Sequence, residues 1–219
     1  DNKIKTQHAI QEINKQVLEK DLAKKTIYTA GVGNHQMMAA QFIEWKYPKS
    51  FLSSGSLGVM GVGLPYAIGA QIANPDHCII DIDGDGSFNH TLSELKTIVE
   101  YNLPIKIAIM NDKHLSMVRV WEQLFFEERY TATASEKNPD YTVLASSYGI
   151  KAISCNKMSE LENTVDYFLN YDGPILCDFR VVTDNCLPLV APGKGLDEMI
   201  LPKHQTNQTI NFDTSLPPS

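Results

Sequence analysis

The chain has 219 residues, 43% of them hydrophobic, with 19 basic against 26 acidic side chains and a formal net charge of −7. That size and apolar content suit an α/β domain with a sizeable core. The acidic balance argues against a broad nucleic-acid surface, which needs a basic face, and no apolar run approaches the ~18 residues of a membrane span. Cys78, Cys155, Cys177 and Cys186 form no C-x-x-C pair. Three of them lie in or beside apolar strand-like runs, the pattern of buried thiols in a reducing compartment, cytoplasmic or organellar. No signal peptide opens the chain, and its polar helical start is that of a sequence beginning mid-protein.

Ala9, Ile10, Ile13, Val17 and Leu18 recur at helical spacing and predict an amphipathic helix over about residues 6 to 20. Thr26 to Ala30 is a short strand running into Gly31-Val32-Gly33, a glycine turn that opens a helix reaching about Trp45. Pro48 ends that segment, and Phe51-Leu52 is a very short strand candidate. The glycine-dense run Ser53 to Gly63 lets backbone approach a ligand or another helix closely. Leu64 to Ala73 is apolar on nearly all sides, which predicts a buried helix.

Cys78 to Met117 is the stretch around which the rest is organised. An apolar run (Cys78 to Ile82) ends in Gly84-Asp85-Gly86-Ser87; a helical pattern follows, then a second apolar run (Ile105 to Met110) that ends in Asn111-Asp112. This is a βαβ unit. Beyond it, residues about 115 to 128 read as a helix with Leu115, Val118, Trp121, Leu124 and Phe125 on one face, and Glu127 to Asn138 as a loop. Tyr141 to Tyr148 is a helix, Gly149 to Ala152 turns into a short strand, and Glu160 to Leu169 is a helix with Ser159 as N-cap. Ile175 to Val182 is the last strand. The predicted fold is α/β: a three-layer, doubly wound, mostly parallel sheet of about six strands with helices on both faces. The domain spans residues 1–186, and residues 187–219, rich in Pro, Gly and polar side chains, form an extended, mobile C-terminal tail.

Both strands of a βαβ unit end at the same edge of the sheet, the edge where open α/β sheets bind ligands. Asp85 and Asp112 therefore come together there, and two adjacent carboxylates repel unless a proton or cation lies between them. Hard oxygen ligands suit Mg²⁺ or Ca²⁺. Mg²⁺ keeps one or two carboxylates and takes its other ligands from phosphate and water, so the pair points to a phosphorylated ligand. Gly86, Ser87 and the amides around them sit where a helix starts, which favours anions. His35 and His114 fall at the same edge as candidate diphosphate donors; His8, His77, His90 and His204 have no partner pattern. Gly31-Val32-Gly33 is not the dinucleotide fingerprint, because Gln36 takes the third glycine position, and no Walker lysine follows any glycine loop.

Together these residues resemble the thiamine-diphosphate enzymes, closest to the C-terminal, diphosphate-binding domain of acetohydroxyacid synthase (acetolactate synthase). The likeness runs from about Gly31 to Gly195 through ordered islands: Gly33-Asn34-His35-Gln36-Met37, Leu57 to Pro65, the Gly84 to Asp112 motif, Asn102 to Lys106, and His114-Leu115-Ser116-Met117-Val118. It implies that Asp85, Asp112 and the backbone carbonyl of His114 ligate Mg²⁺. It implies that His35, Gly86, Ser87 and the His114 region bind the diphosphate, that Gly58 meets the aminopyrimidine, and that Gly33, Asn34, Met60, Leu115 and Met117 also belong to the cofactor-binding set. Met60 would hold the cofactor in its bent shape, and Met117, Val118 and Trp121 would line the substrate entrance, with Met60, Met117 and Trp121 the catalytic side chains. Residues Ala191 to Gly195 would fold over the site. The implied reaction is decarboxylation of pyruvate and carboligation to a 2-keto acid, a step of branched-chain amino acid biosynthesis.

Where the family usually has Asn, Gln and Gly, this chain has Asp112, Asn34 and Ser116, and Asn89-His90 replaces apolar residues. The glutamate that activates the cofactor comes, in this family, from a separate domain, normally on another subunit. No region here supplies it, which implies a partner domain and a homodimer or higher assembly. The alternatives are a structural module that keeps the fold without turnover, and another thiamine-diphosphate 2-keto acid decarboxylase.

Overall fold

The computed structural model describes residues 2–202. The chain alternates strand and helix. A two-residue strand, β1 (Ile4–Lys5), leads straight into α1 (Thr6–Glu19). β2 (Thr26–Ala30), α2 (Asn34–Phe42), β3 (Phe51–Ser53) and α3 (Gly63–Ala73) follow. β4 (Cys78–Gly84), a single turn α4 (Asp85–Phe88), α5 (Leu95–Glu100) and β5 (Lys106–Asn111) make the central crossover. α6 (Ser116–Phe125), α7 (Tyr141–Ser147), β6 (Lys151–Cys155), α8 (Met158–Asn170) and β7 (Ile175–Val182) complete the layers.

Every strand pairing is parallel. The order is β3-β2-β4-β5-β7, with β6 pairing β7 and β1 pairing its last two residues. A parallel sheet is covered on both faces, so its central strands read as nearly continuous apolar runs. Ile79, Ile80 and Ile82 of β4 and Ile107 and Ile109 of β5 are fully buried, and each such side chain contributes roughly 1.5–3 kcal/mol. One core packs Leu64 and Ala67 of α3, Phe88, Leu95 and Ile98 of the crossover, and Tyr141 of α7 against Ile79, Ile107, Ile109 and Leu176. α1 buries Ala9, Ile10, Ile13 and Val17, the face its helical spacing marked. Phe168 of α8 meets Phe179 of β7 edge-on, with ring centres 6.2 Å apart.

From β2 the chain moves outward to β3, then returns past β2 to β4 and β5. Such a reversal opens a crevice between the ends of the two strands where it happens. Gly31 to Gly33 and Gly84 lie at those two ends.

Some expectations need correction. The sheet has a seventh strand, Ile4–Lys5, too short for its sequence to show alternation. α3 is not buried all round, because Tyr66 and Ile72 are 40% and 59% exposed. Ser159 lies inside α8, whose N-cap is Lys157 with no side-chain cap. The helical pattern after Gly84 is broken into α4, a 3₁₀ turn at Leu92–Glu94 and α5.

The chain divides into two compact units at Asn185/Cys186. In the second, Leu189 and Ile200 pair as an antiparallel bridge, so this stretch doubles back rather than running extended. Residues 203–219 of the expected tail lie outside the described residues.

Candidate cofactor site

The ends of β2, β4 and β5 surround a cavity of about 250 Å³. Its glycine walls follow from how closely the segments approach. The His35 ring is wedged between Gly33 and Gly84: a Cβ on Gly33 would lie 2.8 Å from Cε1, and one on Gly84 2.6 Å from Nδ1. Gly33 has a φ of 155° and Gly58 one of 62°, backbone that glycine adopts without strain. Gly86 sits beneath Leu115 and Met60, whose side-chain carbons lie 2.4 and 3.6 Å from where its Cβ would be.

Asp85 is the first residue of α4 and is 1% exposed. Burial pushes its carboxyl up to about 7, and the charge of Asp112 adds to the push. Burial raises Asp112 too, against the pull of hydrogen bonds from Ser116 and from the His114 backbone. The His114 N–H donates to Asp112 Oδ1 at 3.0 Å, and the Ser116 hydroxyl donates to Asp112 Oδ2. The Asn138 amide donates to Asp85 Oδ2. The two carboxylates thus sit desolvated and mutually repelling, an arrangement that a divalent cation relieves. No group of three or more His, Cys, Asp or Glu side chains is arranged to hold a metal among the described residues. A two-carboxylate set leaves coordination positions for phosphate, water and backbone, as Mg²⁺ requires. The residues present fit the expected ion.

In both histidines one ring nitrogen faces a backbone carbonyl. His35 Nε2 lies 3.0 Å from the Gly31 carbonyl, which can only accept, so Nε2 carries the proton. The same nitrogen is 3.2 Å from Asp83 Oδ1. His114 Nδ1 lies 2.8 Å from the Asp112 carbonyl, which can only accept, so Nδ1 carries a proton. Ser87 Oγ takes the Gly61 N–H at 2.9 Å and keeps its own proton to donate. Asn34 turns its amide to the Asp184 carbonyl at 3.1 Å.

The structure brings Gly33, Asn34, His35, Gly58, Met60 and Gly86 into the cavity wall. Ser87, Asp85, Asp112, His114, Leu115 and Met117 line it as well. Trp121 does not. It lies four residues beyond Met117 on α6, about 6 Å further along the helix, and packs against Phe125 with ring centres 5.1 Å apart.

Several residues of the site were not foreseen. Asp81 and Asp83 are fully buried beneath the start of α3. Thr29 Oγ1 donates to Asp81 at 2.9 Å and the Gly84 N–H to Asp83 at 2.9 Å. Burial first, then the charge of Asp83, holds Asp81 well above the usual carboxylate range. Embedded in an apolar run, both read as strand residues; their period-2 spacing on one face of β4 was the available signal. Thr6, Val32, Met110 and Ser116 also line the cavity, and Asn138 reaches Asp85 from a loop that carries no motif.

The family model for the thiamine pyrophosphate enzyme C-terminal TPP-binding domain matches residues 31–179, more than half of the chain and all of this cavity except Thr6. The chain belongs to this family. As a member it is a TPP-binding domain, TPP being thiamine diphosphate under its other name. It is 45% identical over 200 residues to the mitochondrial acetolactate synthase catalytic subunit of Saccharomyces cerevisiae, covering 91% of this chain and 29% of that one. It is 44% identical to the acetolactate synthase large subunit of Pyropia yezoensis, over 87% of this chain and 33% of that one. Against the acetolactate synthase isozyme 2 large subunit of Escherichia coli the identity is 43%, over 80% and 32%. The TPP-binding domain thus spans about a third of the length of these curated relatives. Among its described residues no helix is long and apolar enough to cross a membrane.

Proposed function

We propose that this chain is the diphosphate- and metal-binding part of an acetolactate synthase-like enzyme, which decarboxylates pyruvate and joins the remaining two carbons to a 2-keto acid. One observation carries the reading: a buried carboxylate, Asp85, and a half-buried one, Asp112, meet at a glycine-walled cavity, where the charge of Asp112 adds to the burial that raises Asp85, and burial raises Asp112. That site lacks positive charge of its own, and Mg²⁺ with a diphosphate would supply and balance it.

Asp85, Asp112 and the His114 backbone carbonyl would hold Mg²⁺. Gly33, Asn34, His35, Gly86, Ser87, His114 and Leu115 would surround the diphosphate, with backbone approaching where a side chain is excluded. The Ser87 hydroxyl has a proton to give it. Gly58 would face the aminopyrimidine. Met60 and Met117 would shape the apolar middle of the site and keep water out; Trp121 would act from further out, at the entrance. Bound there, thiamine diphosphate supplies the electron sink that decarboxylation of a 2-keto acid needs.

The activating glutamate would come from a further domain or a second subunit, in a homodimer or larger assembly, in the cytosol or an organelle. A cofactor-holding module without turnover is the competing reading for the chain by itself. A pyruvate-consumption assay separates the two. The chain alone is expected to form no acetolactate, and the chain with the glutamate-bearing domain is expected to form it. Acetolactate from the chain alone would refute the need for a partner; none from the combination would refute the synthase reading.

A further inference from the structure

The loop between α6 and α7 had no role in the sequence reading, yet it is tied to both candidate metal-binding elements. His114 and Ala134 pair as an antiparallel bridge. The Leu115 N–H donates to the Thr133 carbonyl at 2.7 Å, and the Ser135 N–H donates to the Lys113 carbonyl at 2.7 Å. At the end of the loop, Asn138 donates to Asp85 Oδ2.

The orientation of that amide is fixed by the groups behind it. Asn89 Nδ2 donates to Asn138 Oδ1 at 3.1 Å, so the Asn138 oxygen is taken and its nitrogen must face Asp85. Asn89 is oriented in turn by the fully buried Tyr141, whose hydroxyl donates to Asn89 Oδ1 at 3.1 Å. The same hydroxyl lies 3.3 Å from the Asp85 carbonyl. This is a chain of side chains from the core of α7 to one oxygen of Asp85. Asp112 is held at both oxygens: the Ser116 hydroxyl donates to Oδ2 and takes a lone pair there, while the His114 N–H donates to Oδ1, and together they fix the plane of the carboxylate.

We infer that Ser116 and the Asn89–Asn138 pair are positioning residues that occupy Oδ2 of Asp112 and Oδ2 of Asp85, so that each carboxylate meets the metal through its other oxygen, Oδ1. An anchored carboxylate cannot turn to offer both oxygens equally to one ion. Single-oxygen ligation in fixed directions suits Mg²⁺, which demands near-octahedral geometry. Ca²⁺ takes more oxygens and uses two-oxygen carboxylate contacts freely. The anchors thus set the site's preference for Mg²⁺ over Ca²⁺. This inference rests on the metal and cofactor reading proposed above.

The test is calorimetric titration of thiamine diphosphate into the full chain, alone and with the glutamate-bearing domain, at graded Mg²⁺ and Ca²⁺. The wild type is compared with Ser116→Ala, Ser116→Thr and Asn89→Leu, with the fold of each checked by circular dichroism. Ser116→Ala and Asn89→Leu are each expected to weaken apparent Mg²⁺ affinity by about tenfold or more, the usual effect of removing a group that orients a metal ligand. Ca²⁺ affinity is expected to change less, so the Mg²⁺:Ca²⁺ ratio falls, and Ser116→Thr, which keeps the hydroxyl, is expected to retain the wild-type ratio. A merely structural role would weaken both ions together. An unchanged ratio in Ser116→Ala and Asn89→Leu, beside metal-dependent binding in the wild type, overturns this inference and leaves the cofactor reading standing. Absence of metal-dependent binding in the wild type, in both preparations, overturns the cofactor reading and this inference with it.

Discussion

Asp85 shows most directly what the site demands of its own chain. Without a cation its carboxyl has a folded-state pKa of about 7, against ~3.9 in an unfolded chain. Between about pH 4 and 7 the folded chain therefore binds a proton there that the unfolded chain does not. The contribution of this group to stability falls as pH rises through that window and levels off above it. The variant Asp85→Asn carries no such charge. In metal-free thermal denaturation it is expected to melt above the wild type at pH 8 and to match it near the acid end of the window; a difference that does not vary with pH would contradict this. Asp85 and Asp112 were legible in the sequence because their motif is local: a glycine turn after one strand, an acid after the next. Asp81 and Asp83 were less so: their period-2 spacing puts both on one face of β4, but which segment packs on that face depends on the fold. Asn138 was not legible, since its role depends on where a loop lands.

Among the elements, α3 is placed by what its first residue lacks. A Cβ on Gly63 would lie 2.6 Å from the Gly31 backbone nitrogen and from Asp81 Oδ1, and 2.8 Å from Asp83 Oδ2. Backbone cannot yield to it, so Gly63→Ala should destabilise the chain by about 1–3 kcal/mol in denaturant unfolding. Gly69, in the interior of the same helix, has nothing within 4 Å of its Cβ position. Gly69→Ala should be neutral or stabilising by up to ~1 kcal/mol, the helix-propensity difference alone. Equal losses in the two variants would show that the close approach at Gly63 is not what holds α3. Elements with strong periodicity were readable: Thr26–Ala30 and Ile175–Val182 form the strands their sequences describe. β1 was not, because two residues carry no period and its pairing with Val181 and Val182 depends on the other end of the chain.

At the scale of the whole molecule, alternating strands and helices made a parallel, doubly wound sheet legible before any coordinates. Parallel pairing needs crossovers, and every apolar run was separated from the next by enough chain to supply one. Where the sheet reverses direction was less accessible, since strand order depends on packing between distant segments. The reversal brings Gly33, His35, Asp85 and Gly86 to one cavity, and β5 adds Asp112 beside them. The central claim is that this cavity binds thiamine diphosphate through a cation held by Asp85 and Asp112. Titration calorimetry of thiamine diphosphate into the chain, with the glutamate-bearing domain present, tests it most directly when run with and without Mg²⁺ on the wild type and Asp85→Ala. The account predicts binding that requires Mg²⁺ and is lost in Asp85→Ala; equal affinity without Mg²⁺, or wild-type affinity in Asp85→Ala, would contradict it.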